Sequence, residues 1–437
     1  MNKKKLKLSL LTLSIMVTGS LLAGCVNNKG DAVAGASKVE APKEIVIGAI
    51  YPLTGNSATV GQQNKVALEL AADIINNNVD LDLPFAKTEG IPNLNNAKIK
   101  LVFADSQGKP DVAANEAQRL ISREKASIIL GAYASSNAAT VAQVTERNGV
   151  PFLIPDSNSP SLTEQGYKWL FRIAPTENTH INDAFNLLDE LKQKGKNINS
   201  VAILNENSLW GTDIAKEQLK QAEKRGYKVA AHVEYPQNTT DLNSEVQKIK
   251  ASKPDVLLIS AYTSDALLFV KTTKELNFQP QAILASGAGF VDNTFKEKIG
   301  DQARDVITRD LWSLDLADKK PIYAKLNEEF KKKSQGRDLL GDQAKVIQGL
   351  LVAADVLNRA KSTDPKALQE ALSSTDIPEK DLVMPWDGVK FDPKTHQNEK
   401  AKGVLMQFAG GKYSTVYPFN LAKQEIKWPF TPWDQRK

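Results

Sequence analysis

Short apolar runs rich in β-branched residues alternate with amphipathic helical stretches through most of this chain. Residues 44–50 form the first such run, and residues 62–78 follow with apolar side chains at four-residue spacing, which is typical of one buried helix face. The same order continues to about residue 154 and starts again at Ser200. Strict alternation of strand and helix predicts parallel strands joined by right-handed crossover helices. The sequence therefore predicts an α/β protein with two doubly wound parallel-sheet lobes in series.

The remaining predicted elements complete this pattern. Helices are predicted at residues 62–78, 111–123, 138–147, 211–225, 242–251, 264–276, 321–333, 343–359 and 365–372. The last three have no strands of their own, so we expect them to pack back onto the sheets. Residues 388–392 and 403–417 are predicted strands, the latter folded around a turn at residues 409–412.

The first 42 residues differ from the rest in composition. Lysines precede the apolar segment of residues 8–22, an order typical of an export signal. The only cysteine of the 437 residues, Cys25, ends the sequence Leu-Ala-Gly-Cys, which resembles the lipid-attachment motif of bacterial lipoproteins. This predicts a signal peptide at residues 1–24, a lipid on Cys25, a flexible tether at residues 25–42 and an extracytoplasmic location. The alternative is a plain secretory signal with an incidental cysteine.

Charge and length exclude several classes of protein. The four lysines of residues 1–24 account for four of the five net positive charges, so the remaining chain is nearly neutral and gives no reason to expect a nucleic-acid partner. About 395 residues follow the tether, more than one hydrophobic core usually serves. We therefore expect a monomer with two lobes. Its folded part should be soluble, attached to a membrane only through the lipid, and should contain no internal disulfide.

Enzyme signatures are missing from the sequence. His180, His232 and His396 lie far apart, with no metal-binding spacing between them. Neither a phosphate-binding loop with an upstream glycine nor a nucleophile elbow occurs. The sequence therefore predicts a protein that is not an enzyme and that needs no cofactor or metal.

Ligands of doubly wound sheets bind beyond the carboxyl ends of the strands, where helix amino termini present free N–H groups. Polar or aromatic side chains fill four predicted loops at this edge. The loops cover residues 51–61, 133–136, 156–160 and 205–211. Ser135 and Ser136 open a predicted helix, which is a favourable site for an anion. Both could instead be simple helix caps.

At these loops the chain resembles the type I periplasmic solute-binding proteins, specifically the leucine/isoleucine/valine-binding family of ABC importers. The resemblance extends from about residue 43 to about residue 418. It is carried by the stretches at residues 51–55, 105–111, 131–136, 150–155, 159–163 and 169–175. It implies two lobes that close on a small solute, with a membrane permease as partner.

The resemblance also implies where the lobes lie. We expect one lobe at residues 43–174 plus 308–386 and the other at residues 175–307 plus 387–437. Three crossing strands would join them, near residues 172–176, 307–312 and 386–391.

Site residues follow from the same resemblance. Ser135 matches a serine that binds the solute carboxylate with its hydroxyl and adjoining amides, and Asn158 falls where the family has a threonine. Trp210 matches an aromatic wall, and Tyr262 matches a tyrosine of the second lobe that closes over the solute. Additional candidates in the first lobe are Tyr51, Thr59, Ala134 and Ser136. Trp210 and Tyr262 also have a structural interpretation, as packing residues of the second lobe.

Two departures from the family concern charge. The acidic residue that many members place after the last strand of the second lobe has no counterpart in residues 285–289. Asp156 stands where a small neutral residue is usual, so it could pair with the solute ammonium; alternatively, it caps the short helix after Ser159 or bonds loop amides. Arg309 and Asp310 could bind a charged solute or each other.

The expected function is that of a lipid-anchored carrier, which binds a small amino acid or a similar carboxylated solute and delivers it to a permease. The alternative is a lipoprotein that senses the solute and reports it to a membrane signalling partner.

Overall fold

The computed structural model of the protein describes residues 43–436. The strands are β1 (Glu44–Tyr51), β2 (Lys98–Asp105), β3 (Ile128–Gly131), β4 (Phe152–Ile154), β5 (Leu170–Arg172), β6 (Ser200–Glu206), β7 (Lys228–Tyr235), β8 (Val256–Ser260), β9 (Ala282–Ala285), β10 (Ile307–Asp310), β11 (Asp376–Pro378), β12 (Gly388–Lys390), β13 (Val404–Ala409) and β14 (Lys412–Tyr417). The helices are α1 (Ala58–Asn76), α2 (Pro110–Ser122), α3 (Ser135–Asn148), α4 (Glu177–Gln193), α5 (Leu209–Arg225), α6 (Asn243–Ala251), α7 (Thr263–Glu275), α8 (Asn293–Ile299), α9 (Ile322–Lys333), α10 (Gly341–Ala360) and α11 (Pro365–Ser373).

Two main sheets share one strand order. The first sheet runs β2-β1-β3-β4-β5, with every pair parallel. In the second, β7-β6-β8-β9-β10 repeat that order in parallel, and β13 and β14 extend the edge antiparallel. The order reverses between β1 and β3 in one sheet and between β6 and β8 in the other, which is where ligands of such sheets bind. The predicted α/β class with two doubly wound sheets is confirmed.

The chain passes between the two sheets more than once. It leaves the first sheet after β5 and enters the second at β6. After β10 it returns, because α10 packs against α1 of the first lobe, and it then reaches the second sheet again at β13. The exact lobe boundaries given above remain a prediction. The predicted signal peptide, tether and lipid on Cys25 lie outside the described residues.

Helix α10 is the most deeply buried helix near the junction. Buried residues occupy every face of it over Gly341–Leu357, including the charged Asp342 and Lys345. A helix that is buried on all sides belongs to the interior of the molecule. Its amino terminus lies close to β10, since a Cβ atom added at Gly341 would meet the Asp310 carboxylate. The first turn of α10 is thereby brought to the edge of the sheets.

Helices α4 and α8 were not predicted. The pattern in α4 is regular, with buried Ile181, Phe185 and Leu188 at helical spacing. Within residues 43–436, no helix is long and apolar enough to cross a membrane.

Candidate functional site

A small, narrow cavity lies between the lobes, at the carboxyl ends of the parallel strands. Loops after β3 and β4 and the first turn of α10 form one side, and the amino termini of α5 and α7 with β10 form the other. Its lining consists of Tyr133, Ser135, Asp156, Asn158, Trp210, Tyr262, Ala288, Arg309, Asp342 and Lys345. Five of the sequence-predicted residues therefore meet in one place: Ser135, Asp156, Asn158, Trp210 and Tyr262.

Ser135 is the first residue of α3 and is almost fully buried. The N-cap position belongs to Ala134, and no side chain caps the helix, so Ser135 and Ser136 are not its caps. The Ser135 hydroxyl oxygen accepts a 3.3 Å hydrogen bond from the Ser159 amide, which leaves its own O–H free to donate. The uncapped N–H groups and this hydroxyl together favour an anionic group.

Asp156 is only 5% exposed. Its Oδ1 accepts a hydrogen bond of 3.1 Å from the Tyr133 amide, while Oδ2 has no hydrogen-bond partner among the described residues. Burial raises the pKa of Asp156 to about 6, against the lowering effects of Lys345, the Tyr133 amide and the Tyr51 hydroxyl beside it. Asp156 does not cap the short helix after Ser159, because no side chain caps that helix. Oδ2 therefore has the Tyr51 hydroxyl beside it but no hydrogen bond of its own, and it can accept one from a cation or a donor.

Other polar atoms of the cavity are also without partners in the described chain. They are Asn158 Oδ1, the Tyr133 hydroxyl and Arg309 Nε. Buried polar groups in native proteins are nearly always hydrogen-bonded, so unpaired atoms around a cavity indicate a place for a polar guest.

The second lobe contributes an aromatic wall. The ring centroids of Trp210 and Tyr262 are 4.9 Å apart, and that of Tyr262 lies 5.8 Å from Tyr133 of the first lobe. Trp210 Nε1 donates a 2.7 Å hydrogen bond to Glu177 Oε1. The same carboxylate forms a buried ion pair with Arg309. Arg309 therefore pairs with Glu177, and not with its neighbour Asp310.

Lys345 and Asp342 form a second buried ion pair, with 2.5 Å between Nζ and Oδ1. These residues are three apart on α10, and both side chains are less than a tenth exposed. Sequence reasoning missed this pair because charges at that spacing usually lie on a solvated helix face. It missed Glu177 because α4 itself was not predicted.

Contacts between the lobes close the rim of the cavity. Asp213 of α5 accepts hydrogen bonds from the hydroxyls of Ser161, at 2.7 Å, and Ser159. On the opposite side, Asn293 Nδ2 donates to Gln63 Oε1 at 3.0 Å. The structure thus shows the lobes in a closed arrangement.

Four candidates do not line the cavity. Tyr51 is fully buried near its edge, and its hydroxyl has no hydrogen-bond partner in the described part of the chain. Thr59 and Ser136 are half-buried, and Ala134 is buried behind the loop.

Comparison with known proteins agrees with this architecture. A family model described as periplasmic binding protein matches residues 44–412. The Leu/Ile/Val-binding protein homolog 7 of Brucella suis biovar 1 is 30% identical over 410 residues, which cover 91% of this chain and 96% of the relative. These are binding proteins, which agrees with the prediction that the chain is not an enzyme.

Solved structures show the same fold. The leucine binding protein LivK of Thermotoga maritima has a TM-score of 0.72 at 20% identity, covering 86% of this chain and 100% of that protein. LivJ of Streptococcus pneumoniae, solved in complex with isoleucine, has a TM-score of 0.72 at 19% identity, covering 88% of this chain and 100% of that protein. The chain therefore belongs to the type I periplasmic binding proteins of the leucine/isoleucine/valine-binding kind, a family of extracytoplasmic solute-binding proteins.

Proposed function

We propose that this protein is the lipid-anchored solute-binding subunit of an ABC importer and that it binds a small amino acid or a similar carboxylated solute between its lobes. The observation that carries the proposal is the juxtaposition of a free Ser135 hydroxyl at the α3 amino terminus with an unpaired Asp156 oxygen in one closed cavity. An α-amino acid offers the complementary carboxylate and ammonium.

In this binding mode the carboxylate lies on Ser135 and the first N–H groups of α3, including that of Ser136. The ammonium pairs with Asp156, which replaces the acidic residue absent after β9. Asn158 can both accept and donate, so it contacts either charged group. Tyr51, Thr59 and Ala134 support the first-lobe loops around these groups.

Closure would bring Trp210 and Tyr262 over the solute, because their aromatic wall belongs to the second lobe. A solute that contacts both lobes favours the closed form by the difference in its interactions with the two forms. The lobes as proposed are residues 43–174 plus 308–386 and residues 175–307 plus 387–437.

Delivery to a permease is preferred over signalling because the sequence predicts a lipid on Cys25 and a tether. A monomer held this way can reach a membrane partner. A permease gene beside this one would support transport, whereas a neighbouring kinase or cyclase gene would support the sensing alternative.

Titration calorimetry on the full chain, with amino acids as titrants, tests the solute. We expect saturable binding that requires the α-carboxylate, and the absence of binding by every amino acid would contradict the proposal. Labelling of cells with a radioactive fatty acid tests the anchor. Wild type should incorporate label and Cys25→Ser should not; equal labelling would exclude Cys25 as the attachment site.

A further inference from the structure

A second small cavity, which we call the rear cavity, adjoins the interlobe cavity. Helices α4 and α5 bound it on one side, and strands β8, β9, β10 and β13 of the second sheet bound it on the other. Arg309 lines both cavities, so it belongs to the wall between them. The rest of the lining is mostly apolar, and its other polar side chains are those of Glu177, His180, Gln218 and Ser286.

Four polar atoms of the rear cavity have no hydrogen-bond partner within residues 43–436. They are Glu177 Oε2, His180 Nε2, Gln218 Oε1 and Arg309 Nε, and each of these residues is less than a tenth exposed. An unpaired buried polar group costs free energy, and native proteins contain few of them. Four such atoms around one cavity therefore indicate that a polar molecule binds there.

The ion pair of Glu177 and Arg309 requires further hydrogen bonds. Glu177 Oε1 accepts from Trp210 Nε1 and pairs with Arg309 Nη2, so Oε2 is the oxygen that is left over. A buried ion pair offsets the loss of its hydration only when its remaining lone pairs and protons are also hydrogen-bonded. A molecule that donates to Glu177 Oε2 and accepts from Arg309 Nε would complete this pair.

The charge of the lining excludes an ion. Glu177 and Arg309 neutralise each other. Burial, together with the charges of Arg309 and Lys345, holds the pKa of His180 well below its usual value, so the ring of His180 is neutral. An added cation or anion would therefore be a buried charge without a countercharge, which is costly.

Both the chemistry and the size of the rear cavity fit water. Glu177 Oε2 and Gln218 Oε1 accept hydrogen bonds and Arg309 Nε donates one, whereas a ring nitrogen of neutral histidine can do either. Water is the small neutral molecule that donates and accepts in equal number. The space holds about one or two water molecules, which is too little for an amino acid.

We propose that the rear cavity is a binding site for ordered water, which donates to Glu177 Oε2 and Gln218 Oε1 and accepts from Arg309 Nε and His180 Nε2. Bound water then fixes the Glu177–Arg309 pair from the side opposite the solute, and Glu177 in turn holds the indole of Trp210. Arg309 Nε donates to this water and not to the solute. The inference goes beyond the proposed function and does not depend on which solute binds between the lobes.

A high-resolution crystal structure of the full chain tests the site directly. We expect electron density for water within hydrogen-bond distance of Glu177 Oε2 and Arg309 Nε. A rear cavity without water, an ion in that place, or side chains turned so that the four atoms bond one another would overturn the inference.

Gln218→Leu tests the site in solution, with Gln221→Leu on the same helix as matched control. Gln221 is also less than a tenth exposed, but it lies outside the lining and its Nε2 donates to Glu217 Oε1 at 2.8 Å. Oxygen-17 magnetic relaxation dispersion counts the water molecules that stay bound inside a protein. We expect this count to fall by about one or two in Gln218→Leu and to match wild type in Gln221→Leu. An equal count in all three proteins would contradict the site, and if Gln218→Leu does not fold, the wild-type crystal structure still decides.

Discussion

Solute binding should depend on pH through Asp156. Its pKa of about 6 in the free protein results first from burial. The groups that face this carboxylate are Lys345, the Tyr133 amide and the Tyr51 hydroxyl, which lower its pKa, and Asp342, which raises it. An ammonium bound at Asp156 favours the ionised carboxylate, so binding should release a proton near pH 6 and weaken as the pH falls.

The size of the effect follows from the two pKa values. The free protein has a pKa of about 6 at this site, and we take the bound carboxylate to return to the ordinary 3.8. Proton linkage then predicts an affinity about tenfold weaker at pH 5 than at pH 8, with most of the change below pH 6. An affinity that rises as the pH falls would require a bound state that stabilises the protonated form of Asp156.

Calorimetry in buffers of different ionisation enthalpy measures both the affinity and the proton release. The matched variants are Asp156→Asn and Asp183→Asn. Burial also raises the pKa of Asp183 to about 6, but this residue lies on α4 outside the cavity lining. We expect the pH dependence to disappear in Asp156→Asn and to persist in Asp183→Asn. Loss of the dependence in both, or in neither, would refute the assignment to Asp156.

Asp156→Asn should also stabilise the empty protein. A carboxyl group whose pKa is raised by folding destabilises the folded state above that pKa, because the folded protein disfavours the ionised form. Below the pKa that the group has in the unfolded chain, it is protonated in both states and has no such effect. The difference between about 6 and 3.8 corresponds to about 3 kcal/mol above pH 7, an effect that vanishes below about pH 4. Denaturant unfolding at pH 7.5 and pH 4 measures this, and a variant less stable than wild type at pH 7.5 would contradict the argument.

Three further predictions concern neighbouring groups. Ser135→Ala should weaken solute binding by about 1–3 kcal/mol in calorimetry, because one donor to the carboxylate is lost; equal affinity would exclude that role. Asp213→Ala removes the closing contact to Ser161, so small-angle scattering of the free protein should show a larger radius of gyration, whereas an unchanged radius would mean that this contact does not hold the lobes. Glu177→Gln leaves Arg309 buried without a countercharge and should lower the free energy of unfolding by about 3–5 kcal/mol; a loss below about 1 kcal/mol would show that the ion pair contributes little.

Much of the site edge could be predicted because parallel strands bring their carboxyl ends to one side of a sheet. The loops that follow β3 and β4 hold Ser135, Asp156 and Asn158 for this reason, and the helices after β6 and β8 begin near Trp210 and Tyr262. Local sequence predicts where three of these loops lie, whereas the roles of Ser135, Asn158 and Trp210, and the choice of Tyr262, came from the resemblance to the solute-binding family.

The rest of the site depends on packing between distant segments. Arg309 lies on a strand, and Lys345 and Asp342 lie on a buried helix, so their places in the cavity follow from how β10 and α10 meet the lobes. The family resemblance placed a crossing at residues 307–312, which includes Arg309, but the sequence shows no signal that brings α10 to the same place. Glu177 is different: its helix carries a regular apolar spacing that a complete search for helical periodicity would have found.

The contacts of Glu177 have a mechanical consequence. Its amide donates to the Asn158 carbonyl at 3.0 Å, while its side chain holds the indole of Trp210 and the guanidinium of Arg309. A loop of the first lobe, a wall of the second and the strand β10 are therefore coupled through one residue. A bound molecule that displaces Asn158 would act on β10 through two contacts, the Glu177 amide on Asn158 and the Glu177 carboxylate on Arg309. Solute binding and the movement of β10 are therefore mechanically coupled.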